Sequence, residues 1–262
     1  MAPLNHSRAQ PMIQTDNTVL KVERDEARLQ LTLNRPDNAN ALNPELTEAL
    51  IEAVTQARDT RLCVIRGAGR HFCAGFDLSD LEQLSDGDLL WRFVRIETLL
   101  QAVHHAPFAV VALGHGQIIG AGADLFAACW RRVATADARF RMPGWNFELA
   151  LGTRRLTRLV GPDAARDLLI DSRQISAAQG LACGLVTDIS SAEQWPLLLD
   201  DLLRRASALS PTALAELLEL TTDDSRNDDF AAIVQSAGRP GLKQRITAYR
   251  EQMTAARNKP GA

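Results

Sequence analysis

The residues best placed to do chemistry lie in two glycine-rich segments. The first is Gly67-Ala68-Gly69-Arg70-His71-Phe72-Cys73-Ala74-Gly75-Phe76-Asp77-Leu78. The second is Gly114-His115-Gly116-Gln117-Ile118-Ile119-Gly120-Ala121-Gly122-Ala123-Asp124-Leu125. Each follows a short apolar run that reads as a buried strand, and each continues towards a helix. Small residues let a ligand approach the backbone closely. The first N–H groups of a helix have no partner within it and point outward. Two such ends side by side supply two converging donors, the physical requirement for an oxyanion hole. Taken singly, the same segments read as tight turns of an α/β sheet. Asp124 reads by position as a first-turn acid favoured by the helix dipole.

Other chemistries lack their motifs. There is no GxxxxGK[ST] phosphate loop, no GxSxG elbow and no HExxH. Ile119 stands where a dinucleotide fingerprint needs its third glycine, which disfavours a nicotinamide-dependent oxidoreductase. His6, His71, His104, His105 and His115 form no metal-spaced set, and no metal site is expected. Cys63, Cys73, Cys129 and Cys183 are few, widely spaced and form no CxxC pair, which reads as reduced thiols without zinc.

The elements that must hold these segments are legible in the apolar pattern. Val19–Arg24 and Arg28–Leu33 read as strands joined by a polar turn, with Leu29, Leu31 and Leu33 on one buried face. Asn43-Pro44-Glu45 is a helix start, followed by an apolar face of Leu46, Leu50, Val54 and Ala57. Cys63–Ile65, Phe108–Leu113 and Arg132–Thr135 read as further strands. Leu89, Phe93, Ile96, Leu100 and Val103 mark a long amphipathic helix that Pro107 stops, and Ala121–Trp130 reads as a helix buried on most sides. From Gly152 the pattern is almost wholly helical, ending in a face of Leu242, Ile246, Tyr249 and Met253. Residues 239–259 hold six basic side chains and one acid, Glu251, a segment charge of +5. This reads as a solvated helix face or as a docking surface for an anionic group such as a phosphate.

At 262 residues the chain suits one large domain, or one with a small appendage, and can bury a sizeable core. With 29 basic and 32 acidic side chains, its net charge of −3 argues against nucleic-acid binding by bulk electrostatics. No apolar run reaches the roughly 18 residues of a membrane span. Residues 1–17 lack a hydrophobic signal core, and their composition suggests a disordered lead-in. A cytoplasmic protein without membrane or nucleic-acid partners is therefore expected.

Four motifs, in this order and spacing, resemble the crotonase superfamily, the enoyl-CoA hydratase/isomerase group. They are Leu33-Asn34-Arg35-Pro36-Asp37-Asn38-Ala39-Asn40-Ala41-Leu42, Phe72–Leu78, Gly120–Leu125 and Arg154-Arg155-Leu156-Thr157-Arg158-Leu159-Val160-Gly161. The resemblance covers most of the chain, from about Val19 to the last helix. It implies an α/β fold, a crotonase-like spiral of ββα turns followed by a C-terminal helical layer. Residues 18–195 would form the acyl-CoA-binding core and 196–262 a trimerisation region, giving a homotrimer or a dimer of trimers. The implied substrate is an acyl-CoA thioester, with coenzyme A present only as part of it and no other cofactor. The implied oxyanion donors are the backbone N–H groups of Phe76 and Ala121. Substrate or CoA contacts are implied at Ala39, Asn40, Ala41, Arg70, Ala74, Gly75, Asp77, Gly120 and Trp145.

The chain departs from the family pattern at three places. Asp124 aligns with the first of two hydratase glutamates, but its carboxylate is pulled back by one carbon–carbon bond, roughly 1.5 Å. Gly144, after Pro143, stands where the second should be and cannot transfer a proton. The following loop is shortened, and counting back from Arg155 makes Glu148 the candidate replacement base, or else a helix-edge surface acid. Ala39 and Ser79 replace basic residues that often grip the CoA phosphates, while Arg70 remains. One-carboxylate chemistry such as double-bond isomerisation is therefore expected over standard hydration, with decarboxylation and thioester cleavage open. The alternative is a catalytically weak homologue that binds acyl-CoA or serves as a structural partner.

Overall fold

Asn43 accepts a hydrogen bond from the Leu46 N–H at 2.9 Å, and Pro44 occupies the first helical position. Capping of this kind recurs at Ser85, Ser176 and Ser210, and it sets where helices begin. The computed structural model describes residues 13–16, 18–25, 27–57 and 59–257. The first half of the chain alternates strands and helices. In order these are β1 (Ile13–Asp16), β2 (Leu20–Arg24), β3 (Arg28–Leu33), α1 (Pro44–Thr55), β4 (Leu62–Gly67), α2 (Asp86–His104), β5 (Ala109–Gly114), β6 (Gln117–Ile119), α3 (Ala121–Ala128), β7 (Arg131–Ala134) and β8 (Arg139–Arg141). The second half is mainly helical: α4 (Thr153–Val160), α5 (Pro162–Asp171), β9 (Ile175–Ser176), α6 (Ala177–Cys183), β10 (Asp188–Ile189), α7 (Trp195–Ala206), α8 (Pro211–Thr221), α9 (Arg226–Ala237) and α10 (Leu242–Arg257).

Seven strands form one sheet in the order β1-β2-β3-β4-β5-β7-β10, and β6-β8-β9 form a second, smaller one. The pairs from β3 to β10 in the large sheet are parallel, so helices must carry the crossovers. Both faces of its centre are covered, which is why β4 and β5 read as continuous apolar runs. Cys63, Ile65, Val110 and Ala112 face the main core with Leu46, Leu50, Phe93 and Phe126. Leu62, Val64, Val111 and Leu113 face the other way, under Trp195, Leu199 and Leu202 of α7 and Leu214 of α8.

One expectation needs adjustment. Residues 13–16, within the segment expected to be a disordered lead-in, form strand β1 paired antiparallel to β2. Residues 1–12 and 17 lie outside the described residues. The boundary expected between 195 and 196 falls at the start of α7, and of the C-terminal helices α9 and α10 both pack on α2.

Candidate active site

The small sheet brings the two glycine-rich segments together. Cys73 bridges Ile118, and the Ile119 N–H donates to the Cys73 carbonyl at 3.0 Å. Gly75 is required at this crossing. Its φ is +89°, and a Cβ there would lie 2.5 Å from the Ile119 carbonyl oxygen. Phe76 is held from the other side by a parallel bridge to Leu42. Leu42 donates to the Gly75 carbonyl and accepts from the Asp77 N–H, so the Phe76 N–H points away from that bridge. Ala121 is the first residue of α3, where an N–H has no intrahelical acceptor. Among the described residues neither N–H has a hydrogen-bond partner.

Both residues line one cavity of about 150 Å³. Its wall is apolar, with Leu78, Phe93, Met142, Leu149, Leu151 and Leu169 among the contributors. Phe76 and Phe93 stack with ring centroids 4.5 Å apart. Ile246 and Tyr249 close one side, and they come from α10. The N-terminus of α10 is fixed by Asp86 of α2, whose carboxylate accepts from the N–H groups of Gly241, Leu242 and Lys243 at 2.8, 3.2 and 2.8 Å. Among the described residues Asp124 is the only carboxylate in the lining. Burial pushes its carboxyl well above the usual carboxylate range; Arg155 opposes the shift and Glu97 adds to it. Room for the carboxyl comes from Gly152, φ +62°, where a Cβ would lie 2.1 Å from the Asp124 Oδ1.

A family model described as enoyl-CoA hydratase/isomerase matches residues 23–242. The chain belongs to this family. It is 36% identical over 208 residues to the 2,3-dehydroadipyl-CoA hydratase of Escherichia coli, covering 74% of this chain and 78% of that one. It is 33% identical over 214 residues to the Mycobacterium tuberculosis protein named "Probable enoyl-CoA hydratase echA6", covering 79% and 83%. A crystal structure from Bordetella parapertussis, described as an enoyl-CoA hydratase/isomerase, superposes with a TM-score of 0.88 at 46% identity, covering 89% of this chain and 98% of that one. The crotonase fold and an acyl-CoA-processing function follow from the family. Among the described residues no helix is long and apolar enough to cross a membrane.

The structure places the other candidate residues of this crotonase-fold chain in three groups. Ala74, Gly120 and Trp145 line the cavity with Phe76, Ala121 and Asp124, and the Trp145 Nε1 donates to the Thr153 Oγ1 at 3.1 Å. Asn40 and Asp77 are instead committed to the fold. Asn40 is fully buried; its amide accepts from the Arg35 N–H and donates to the carbonyls of Ala68 and His71. Asp77 pairs with Arg35 at 2.7 Å and accepts from the Ser79 N–H. Ala39 and Ala41 serve the same clamp through their carbonyls, which accept from Ala74 N–H and Arg35 Nη1. Arg70 is exposed. Glu148 lies outside the lining. It caps a 3₁₀ turn over Gly144–Phe147 with φ +62°, and its half-exposed carboxylate faces Arg239 at 3.5 Å and Arg245 at 3.7 Å. The expected replacement base is therefore turned towards the basic C-terminal segment, because the shortened loop closes through a left-handed residue at that position.

Sequence reading missed Tyr249 and Ile246 as cavity residues and the buried pair Glu97–Arg155 entirely. A signal for Glu97 was present: it lies four residues after Phe93, on the buried stripe of α2, where a lone charge needs a partner.

Proposed function

We propose that this chain is an acyl-CoA enzyme that stabilises a thioester enolate with the N–H groups of Phe76 and Ala121 and moves one proton with Asp124. The observation that carries the reading is that Phe76 and Ala121, whose N–H groups have no partner among the described residues, line one apolar cavity together with the carboxyl of Asp124. A thioester enolate concentrates charge on one oxygen. Two donors already in place, in an apolar wall, favour that charge; one such donor is worth about 3 kcal/mol elsewhere. Standard hydration needs a second carboxylate to hold and activate the water. Gly144 offers none, and Glu148 is engaged with arginines on the outside. Shuttling a proton between two carbons of the acyl chain needs only one group that gives back what it takes, so double-bond isomerisation fits the site better.

The test uses crotonyl-CoA and a 3-enoyl-CoA with the wild type, Asp124→Asn and Ala121→Pro, following turnover and binding separately. The expected outcome is turnover of the 3-enoyl thioester, lowered about 10²-fold or more by Asp124→Asn with affinity little changed. Ala121→Pro removes one donor at a helix position that tolerates proline, and it should abolish turnover in a folded protein. Binding without turnover of either thioester would instead support an acyl-CoA-binding homologue.

A further inference from the structure

Behind Asp124 lies a charge cluster whose members do not line the cavity. Arg155, in the first turn of α4, is 2% exposed, and Glu97 of α2 is 1% exposed. The two terminal nitrogens of Arg155 donate to the two oxygens of Glu97, Nη1 to Oε2 at 3.1 Å and Nη2 to Oε1 at 2.5 Å. Nη2 also lies 3.3 Å from the Oδ2 of Asp229 on α9. Asp229 is held further by the Ser225 hydroxyl at 2.7 Å and by Arg154 from the more exposed side at 3.4 Å. Gln101 donates to Glu97 at 2.9 Å. Arg155 Nε has no partner. Gly152, which caps α4, is the residue packed against the Asp124 carboxyl, so Arg155 stands one helical turn behind it.

A lone arginine in that place would draw Asp124 into a permanent ion pair, and a paired carboxylate is a poor acceptor of a proton. Two carboxylates already occupy the guanidinium. We propose that Glu97 and Asp229 are positioning residues that act through Arg155 to keep the Asp124 carboxyl able to hold a proton inside the cavity. The proposal rests on the reading of Asp124 as the proton-transfer group. The other charged or titratable groups on the elements packed against α3 do not substitute for the pair. His104 of α2 is bound to the Ala128 carbonyl and held neutral by burial, which lowers it to about 4. Arg158 of α4 faces Asp223. β6 carries no titratable side chain, and Tyr249 of α10 lies across the cavity.

The experiment titrates Asp124 directly, without any substrate. Protein labelled with ¹³Cγ-aspartate is followed by NMR across pH, and the Asp124 signal is assigned by its absence in Asp124→Asn. In Glu97→Gln a negative charge is removed and the guanidinium is released, and both changes favour the Asp124 anion. The midpoint is expected to fall by at least about half a pH unit. Asp229→Asn should move it in the same direction. If Glu97→Gln does not fold, Asp229→Asn decides by the same sign. An unchanged or raised midpoint in a folded variant overturns the proposal. Turnover of 3-enoyl-CoA by Asp124→Asn is a separate measurement, so loss of the functional reading and loss of this inference are told apart.

Discussion

Asn40 shows how a residue can belong to a family signature and still serve the fold. Its amide joins Arg35 N–H to the carbonyls of Ala68 and His71, so it ties the turn after β3 to the turn after β4. Its φ of +55° also suits asparagine better than most side chains. Asn40→Ala should cost about 2–4 kcal/mol, because three backbone groups lose their partner away from water. Urea unfolding checks this, and a loss under about 0.5 kcal/mol would contradict the clamp. Asp124 is expected to behave in the opposite way. Its folded carboxyl titrates above the ordinary 3.8. The native state therefore holds a proton that the unfolded chain has released. The stability linked to it is present below that ordinary value and is lost as pH rises through the folded one. Asp124→Asn removes the loss. The variant should melt higher than the wild type at neutral pH while turning over less, and the gap should close in acid. Equal melting temperatures at neutral and acid pH would count against a buried, unpaired carboxyl.

The contact between α10 and α2 decides whether the cavity has all its walls. Asp86 is the first residue of α2, yet it caps α10 by accepting three N–H groups. Replacing it by Ala should cost about 1 kcal/mol locally. The effect should appear as faster amide exchange across 242–257 and weaker acyl-CoA binding, with the sheet unaffected. Exchange that stays unchanged would show that Ile246 and Leu242 alone hold the helix. Such links explain what the sequence could and could not reveal. The strands β2, β3, β4 and β5 were readable because their apolar runs and alternation are local, and α1 because its cap is. β6 and β8 span three residues each, too few for any period to show. The trans cap from Asp86 and the pairing of Glu97 with Arg155 join residues far apart in sequence, so neither leaves a local trace. The acidic loop residue Glu148 could be placed only once the path of the shortened loop was known.

Across the molecule, large apolar side chains remain exposed on several helices. Ile170 of α5 is 75% exposed, Leu197 of α7 77% and Leu220 of α8 86%. A contiguous apolar patch would mark association, and the family resemblance points to trimers. Light scattering at micromolar concentration should give a trimer or hexamer mass; a monomer mass would contradict it. The fold class was legible because four motifs recur in order, and each reflects a backbone need, as Gly75 does at its crossing. The cavity's full outline was not, since its wall gathers residues as far apart as Ala74 and Tyr249. That wall also has a history during synthesis. Phe76 and Phe93 leave the ribosome long before Ile246 and Tyr249 are made. A nascent chain can complete most of its sheet while the pocket still gapes, and its greasy lining is then open to chaperones or to neighbouring chains. Ile246 and Tyr249 of α10 are the last of the wall to be made, so the lining is whole only once α10 has been synthesised.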